Sequence, residues 1–102
     1  MGISVTWFGH SAFHLGIGEH HVLIDPFLTG NPLAPVSAAE VQANFILLSH
    51  GHGDHVGDTI DIARRTGATI VANNEIALWC RNKHGIERVH TLNTGGGVKL
   101  PF

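Results

Sequence analysis

Four residues that can bind a metal ion lie within six consecutive positions of this chain: His50, His52, Asp54 and His55. Side chains two positions apart in an extended segment point the same way, so His50 and His52 can bind one ion. The glycines at positions 51 and 53 let the backbone turn tightly, which would place Asp54 and His55 around a second ion. Imidazole and carboxylate groups together suit zinc, manganese or iron.

Two metal ions held in this way are typical of hydrolytic sites. Such ions lie about 3.5–4 Å apart and share a hydroxide, which is the expected nucleophile. The alternative interpretation is that Asp54 caps the helix that follows, since a carboxylate there can accept hydrogen bonds from free backbone N–H groups. Three histidines and an aspartate directly after an apolar strand favour the metal site.

Apolar patterning predicts an α/β fold built on a mixed sheet. Alternation of apolar and polar residues predicts short strands at residues 3–8, 12–17 and 21–24. Residues 45–48 are continuously apolar, which indicates a central strand covered on both faces. The metal-binding segment follows that strand directly.

Helical spacing begins after the metal-binding segment. Val56, Ile60 and Ala63 predict a helix of about three turns that ends at Gly67. The remaining predicted elements are a strand at 68–72, a helix that Asn74 caps and that ends at Gly85, and short strands at 88–92 and 98–102.

Length and composition fit one globular domain over residues 1–102. A chain of 102 residues buries roughly 60–70% of its unfolded surface on folding, and 43% of these residues are hydrophobic. A formal net charge of −2 provides no basic surface for nucleic acid.

Cys80 is the one cysteine, which excludes an internal disulfide and predicts a reducing, cytoplasmic location. No apolar run approaches the roughly 18 residues of a membrane helix, so no membrane association is expected.

The motif and its surroundings resemble a known family. The segment HGHGDH at residues 50–55 matches the HxHxDH motif of the metallo-β-lactamase superfamily. WFGHS at 7–11, LIDPF at 23–27, TGNP at 29–32 and the stretch 51–58 resemble its small metal-dependent hydrolase branch, with lactonase-like and phospholipase-D-like members. The match runs over nearly the whole chain but covers only the first part of the family pattern.

The resemblance implies an αββα sandwich of two similar halves, of which this chain is the N-terminal half. A complete member adds a third histidine for the first ion, an aspartate that bridges both ions and a final histidine for the second. Here no aspartate follows Asp61, and the remaining histidines, His84 and His90, lie in contexts unlike those motifs. Each ion would have two protein ligands in this chain, against the three that catalytic zinc usually keeps.

The resemblance also implies an activity and its residues. The expected function is a metal-dependent hydrolase with two divalent ions, zinc first and manganese or iron as alternatives, acting on a small-molecule ester, lactone or phosphodiester. Asp54 would also pass a proton to the leaving group. Asp25 is expected to hold the metal loop, because ligating histidines need an acceptor for their second nitrogen; the alternative is a role in a turn. His10 is expected either at the pocket rim or as an ordinary loop histidine.

A sheet with helices on one face must cover its other face with apolar groups. The chain is therefore expected to self-associate or to pair with a fragment that carries the second half. The alternative to an enzyme is a non-catalytic metal-binding or assembly half-domain with an incomplete site.

Overall fold

The computed structural model describes residues 2–102, which form one six-stranded sheet with its strands in sequence order. The strands are β1 (Ile3–Trp7), β2 (Phe13–Ile17), β3 (His20–Ile24), β4 (Phe45–Leu47), β5 (Thr69–Asn73) and β6 (Val89–Leu92). The helices within these residues are α1 (Gly53–Val56), α2 (Thr59–Thr66) and α3 (Asn74–His84). The first three strands pair antiparallel, and β3 to β6 pair in parallel. The expected mixed α/β fold is confirmed.

The main core lies between the sheet and α2 and α3. Leu23, Ile46 and Ile70 are in register across β3, β4 and β5, and all three are fully buried. Ile62 of α2 and Cys80 of α3 belong to the same buried cluster. Complete burial of a side chain of this size stabilises the fold by about 1.5–3 kcal/mol. Strand β4 is therefore central, as its continuous apolar run predicts.

The other side of the sheet, at the β1 end, is apolar and largely uncovered. We call it the open face; its residues are Ile3, Val5, Trp7, Phe13, Leu15 and Ile17. On β1, Ile3 is 68% exposed, Val5 64% and Trp7 56%. Further along, Phe102 packs against Phe45 with ring centroids 5.2 Å apart, so the C-terminal segment covers part of this side.

The structure differs from the sequence prediction at three elements. The predicted three-turn helix is divided, because the backbone at Gly57 (φ 48°, ψ −122°) ends α1 before α2 begins. Asn73 rather than Asn74 caps α3, with its side-chain oxygen accepting from the N–H of Ile76 at 2.9 Å. Residues 98–102 form no strand. The predicted helix ends are confirmed, since Gly67 and Gly85 both adopt the left-handed conformation.

A long connection, residues 25–44, links β3 to β4, and side chains hold it in place. The buried Asn31 side chain donates from Nδ2 to the carbonyls of Phe8 and Phe27, both at 3.0 Å. Arg65 of α2 donates to the carbonyl of Ala38 at 2.8 Å. These bonds join the β1–β2 turn, the connection and the helix layer.

Cys80 is fully buried, and burial raises the pKa of its thiol, which fits the small core residue that the sequence predicts. Within residues 2–102, none of the helices combines the length and the hydropathy needed to cross a membrane.

Candidate metal centre

The sheet topology brings three chain segments to one edge. Strands β1, β3 and β4 run in the same direction, so their carboxyl ends lie together. His10 follows β1, Asp25 follows β3, and the metal-binding segment follows β4. Crevices beside the carboxyl ends of parallel strands are the usual ligand sites of α/β sheets.

Asp25 is the buried anchor of this edge, with 3% of its surface exposed. Its Oδ1 accepts from the backbone N–H of Ser49 at 2.8 Å, and its Oδ2 accepts from the Ser49 hydroxyl. Oδ2 also lies 2.9 Å from Nδ1 of His55. Because an ionised carboxylate only accepts, Nδ1 of His55 carries the proton and Nε2 is left free to bind a metal. The expected position of Asp25 against the metal loop is observed.

Ser49 extends this hydrogen-bond network to the first histidine. Its hydroxyl donates to Asp25, so it accepts from Nδ1 of His50, which lies 2.8 Å away. Nε2 of His50 is then the unprotonated nitrogen. Sequence reasoning missed Ser49, although a hydroxyl residue directly before the motif was a visible signal.

His50 and His52 converge as the alternating spacing predicts. Nε2 of His50 and Nδ1 of His52 are 3.0 Å apart. Two nitrogens that bind one tetrahedral zinc at about 2.0–2.1 Å are separated by about 3.3 Å. The pair therefore fits a single ion with little movement.

Asp54 and His55 lie in the short helix α1, on the other side of the turn. Oδ1 of Asp54 is 3.9 Å from Nε2 of His55, and Oδ2 is 3.1 Å from Nε2 of His10. The cap residue of α1 is His52, and no side chain makes a capping bond at that end of the helix. The Asp54 carboxylate therefore contacts histidines rather than capping the helix, and half of its surface stays open to solvent.

Two further residues support the loop and were missed in the sequence. Oδ2 of Asp58 accepts from the backbone N–H groups of Leu28 and Thr29 at 3.0 and 2.8 Å. A β-carbon on Gly57 would lie 2.5 Å from Cα of Phe27, so only glycine permits this approach. The Asp58 hydrogen bonds and the close approach at Gly57 together hold the segment after Asp25 against the start of α2.

An apolar cleft of about 310 Å³ adjoins the metal-binding segment. Gly51 and Gly53 form one wall, and Val56, Ile76 and Trp79 supply most of the rest, with Glu75 also present. Among residues 2–102, no Lys or Arg lines this cleft. Such a lining suits an uncharged, apolar group rather than a polyanion.

Comparison with known sequences identifies the family of this chain. The profile of a family described as "Beta-lactamase superfamily domain" matches residues 4–100. A protein named "UPF0173 metal-dependent hydrolase" from Heliobacterium modesticaldum is 52% identical over 100 residues, which cover 98% of this chain and 41% of that protein. A protein of the same description from Methanopyrus kandleri is 48% identical over 96 residues, covering 94% and 41%.

Solved structures show the same fold. Igni18, described as a novel metallo hydrolase from Ignicoccus hospitalis, superposes with a TM-score of 0.84 at 34% identity, covering 96% of this chain and 42% of that one. The metallo-beta-lactamase SMB-1 superposes with a TM-score of 0.61 at 20% identity, and the match covers 93% of this chain and 46% of that one. At this identity the likeness shows a shared fold and no more.

The chain spans about two fifths of the length of the curated relatives that it matches. It corresponds to their N-terminal half, as the resemblance implies. With nearly all of its residues matched by the family profile, the chain belongs to the beta-lactamase superfamily domain family.

Proposed function

We propose that this chain is the metal-binding half of a metal-dependent hydrolase. The observation that carries the proposal is the network from Asp25 through Ser49 to His50, together with the bond from His55 to Asp25. These bonds leave Nε2 of His50 and Nε2 of His55 unprotonated and fixed in direction. Such fixed, lone-pair-bearing nitrogens are what a divalent metal requires.

His50 and His52 would hold a first ion, and Asp54 and His55 a second. The mixed imidazole and carboxylate donors suit zinc first, with manganese or iron as alternatives. When bound, such ions supply a nucleophile at neutral pH and stabilise negative charge on a carbonyl or phosphoryl oxygen. Asp54, half exposed beside the site, would move a proton to the leaving group.

The surroundings of the histidines support a class of substrate. The apolar cleft beside Gly51 would take the apolar part of a small ester, lactone or phosphodiester whose reacting bond lies at the histidines. Its lack of basic lining residues and the net charge of −2 support a small molecule rather than a nucleic acid.

The proposal predicts metal content and metal-dependent hydrolysis. Elemental analysis of protein purified without chelator should give about two ions per chain, and hydrolysis of generic ester and phosphodiester substrates should vanish with chelator and return with metal.

His52→Ala should weaken metal binding and lower kcat/KM by at least about 100-fold, whereas His90→Ala, at an exposed histidine of β6, should change neither. Unchanged metal content and activity in His52→Ala would contradict the assignment.

The second candidate is a non-catalytic metal-binding or assembly half-domain. The observation that favours it is the open face, on which Ile3, Val5 and Trp7 are 68%, 64% and 56% exposed and could pack against another chain. Near-zero metal content together with no hydrolysis would support this candidate over the first.

The open face predicts association. Three exposed apolar side chains on β1 should bind either a second copy or a fragment carrying the second half, because burying them removes apolar surface from water. Light scattering at micromolar concentration should give a mass above 10.9 kDa. Val5→Lys should reduce the association, and Ser4→Lys, which points to the opposite side of β1, should not. A monomeric wild type would contradict the prediction.

A further inference from the structure

We infer that His14 and His21 form an additional binding site for a divalent transition-metal ion such as zinc. We call it the hairpin site, because the two histidines lie on β2 and β3, which pair antiparallel. Neither residue belongs to the candidate metal centre, and none of residues 50–55 lines the cavity beside the pair. The hairpin site is therefore independent of the proposed function.

The ring nitrogens of the two histidines are close enough to bind one ion. Nε2 of His14 lies 2.9 Å from Nδ1 of His21, and the ring centroids are 5.2 Å apart. Two imidazole nitrogens on one tetrahedral zinc are separated by about 3.3 Å, so the pair has to widen by about 0.4 Å. Each ring also has to turn until its lone pair points at the ion. The matching nitrogens of His50 and His52 are 3.0 Å apart, so the two pairs are equally close.

The sheet places both side chains on the face that the helix layer covers. His14 is directly opposite Leu23, a fully buried core residue, and His21 is opposite Gly16. Opposite residues share a face, and so do residues two apart on a strand. His14 and His21 are therefore diagonal neighbours on one face. Because Gly16 has no side chain, the His21 ring has room to reach His14.

The local structure prepares both imidazoles to bind a metal. The His14 ring stacks on the buried Phe8 ring, with centroids 5.9 Å apart. Burial and the nearby His21 lower the pKa of His14, so at neutral pH its ring keeps the lone pairs that a metal needs. Asn44 holds the His21 backbone, since its Oδ1 accepts from the His21 N–H at 2.6 Å and its own N–H donates to the His21 carbonyl at 2.7 Å.

The pair faces a cavity of about 330 Å³ between the hairpin and the long connection. Glu40 is the one acidic residue that lines it within residues 2–102, and no basic residue of that range other than the two histidines does. The exposed Glu40 carboxylate accepts from the Ser37 hydroxyl at 2.8 Å. Its negative charge favours a cation in this cavity, which also has room for water molecules that complete the coordination.

The hairpin site should bind zinc more weakly than the candidate metal centre. Within residues 2–102, no carboxylate forms an ion pair with either ring, whereas Asp25 orients His55. Loss of such an orienting partner typically lowers metal affinity by about 10–100-fold. The hairpin site should therefore lose its ion on gel filtration and fill only when zinc is added.

Zinc titration followed by nitrogen-15 NMR of the histidine rings tests the inference, because each imidazole gives its own signals. In wild type, the ring signals of His14 and His21 should shift together as zinc is added. His14→Gln and His21→Gln each remove one ligand and keep a group that can hydrogen-bond to the remaining imidazole. Loss of one of two linked ligands should weaken zinc binding at the hairpin site by at least about 100-fold.

His20→Gln is the matched control, since the neighbouring side chain on β3 points to the opposite face of the sheet. It should leave the shifts of His14 and His21 unchanged. The absence of these shifts in wild type at millimolar zinc would overturn the inference, as would wild-type zinc affinity in either glutamine variant; the two imidazoles would then share only a hydrogen bond. Shifts at the hairpin site without shifts at His50, His52 and His55 would support the inference and contradict the proposed function.

Discussion

Replacing Asp25 with alanine is expected to lower the free energy of unfolding by about 3 kcal/mol or more and to weaken metal binding by about 10–100-fold. The carboxylate is 3% exposed and accepts from the backbone N–H and hydroxyl of Ser49 and from His55. Alanine would leave these donors without their acceptor in a buried setting. Urea unfolding of the metal-free protein and zinc titration measure the two effects.

Asp25→Asn separates the two roles. The asparagine oxygen can still accept from the Ser49 backbone, but its amide would face Nδ1 of His55 as a donor. His55 would then carry its proton on Nε2, so metal affinity should fall while most of the stability is kept. Asp61→Ala, at an exposed aspartate of α2, should cost less than about 1 kcal/mol and leave metal binding unchanged. Full metal affinity in Asp25→Asn would show that this carboxylate does not orient His55.

Gly57→Ala is expected to destabilise the protein by about 3 kcal/mol or more. The added β-carbon would lie 2.5 Å from Cα of Phe27 and 2.6 Å from the carbonyl oxygen of Pro26. Both obstacles are backbone atoms, and the φ of +48° with ψ of −122° is itself unfavourable for alanine. The segment after Asp25 must therefore move, which should also reduce metal affinity.

Gly53→Ala is the matched control for this substitution. Its β-carbon would meet no atom within 4 Å, and Gly53 is the first residue of α1. Thermal unfolding should show no loss of stability, because alanine favours the helix and restricts the unfolded chain. Equal melting temperatures for the two variants would contradict the importance of the Gly57 contact.

Local sequence signals identified much of the fold. The apolar run at 45–48 placed β4 at the centre, and Gly67 and Gly85 marked two helix ends, because these features depend on a few neighbouring residues. Asn73 and Asn74 are adjacent and equally suited to capping, so the sequence could not decide between them. The break at Gly57 depends on a backbone about thirty positions away.

The candidate site likewise has a part that the sequence predicts and a part that depends on the sheet topology. The convergence of His50 and His52 follows from alternating side-chain direction within one segment. The contact between His10 and Asp54 requires that β1 and β4 run in the same direction, which residue spacing does not encode. The metal-ligand roles, the cytoplasmic location and the absence of nucleic-acid binding stay predictions.

The sequential order of the six strands has a consequence for biosynthesis. Each strand pairs with the one that precedes it in the chain, so a nascent polypeptide can add strands at one growing edge as they leave the ribosome. Pairing of strands that are neighbours in sequence costs less loop-closure entropy than pairing of strands that lie far apart in the chain. The segments that carry His10, Asp25 and the four motif residues are all synthesised before β5. The metal-binding edge can therefore form while the later strands are still being translated.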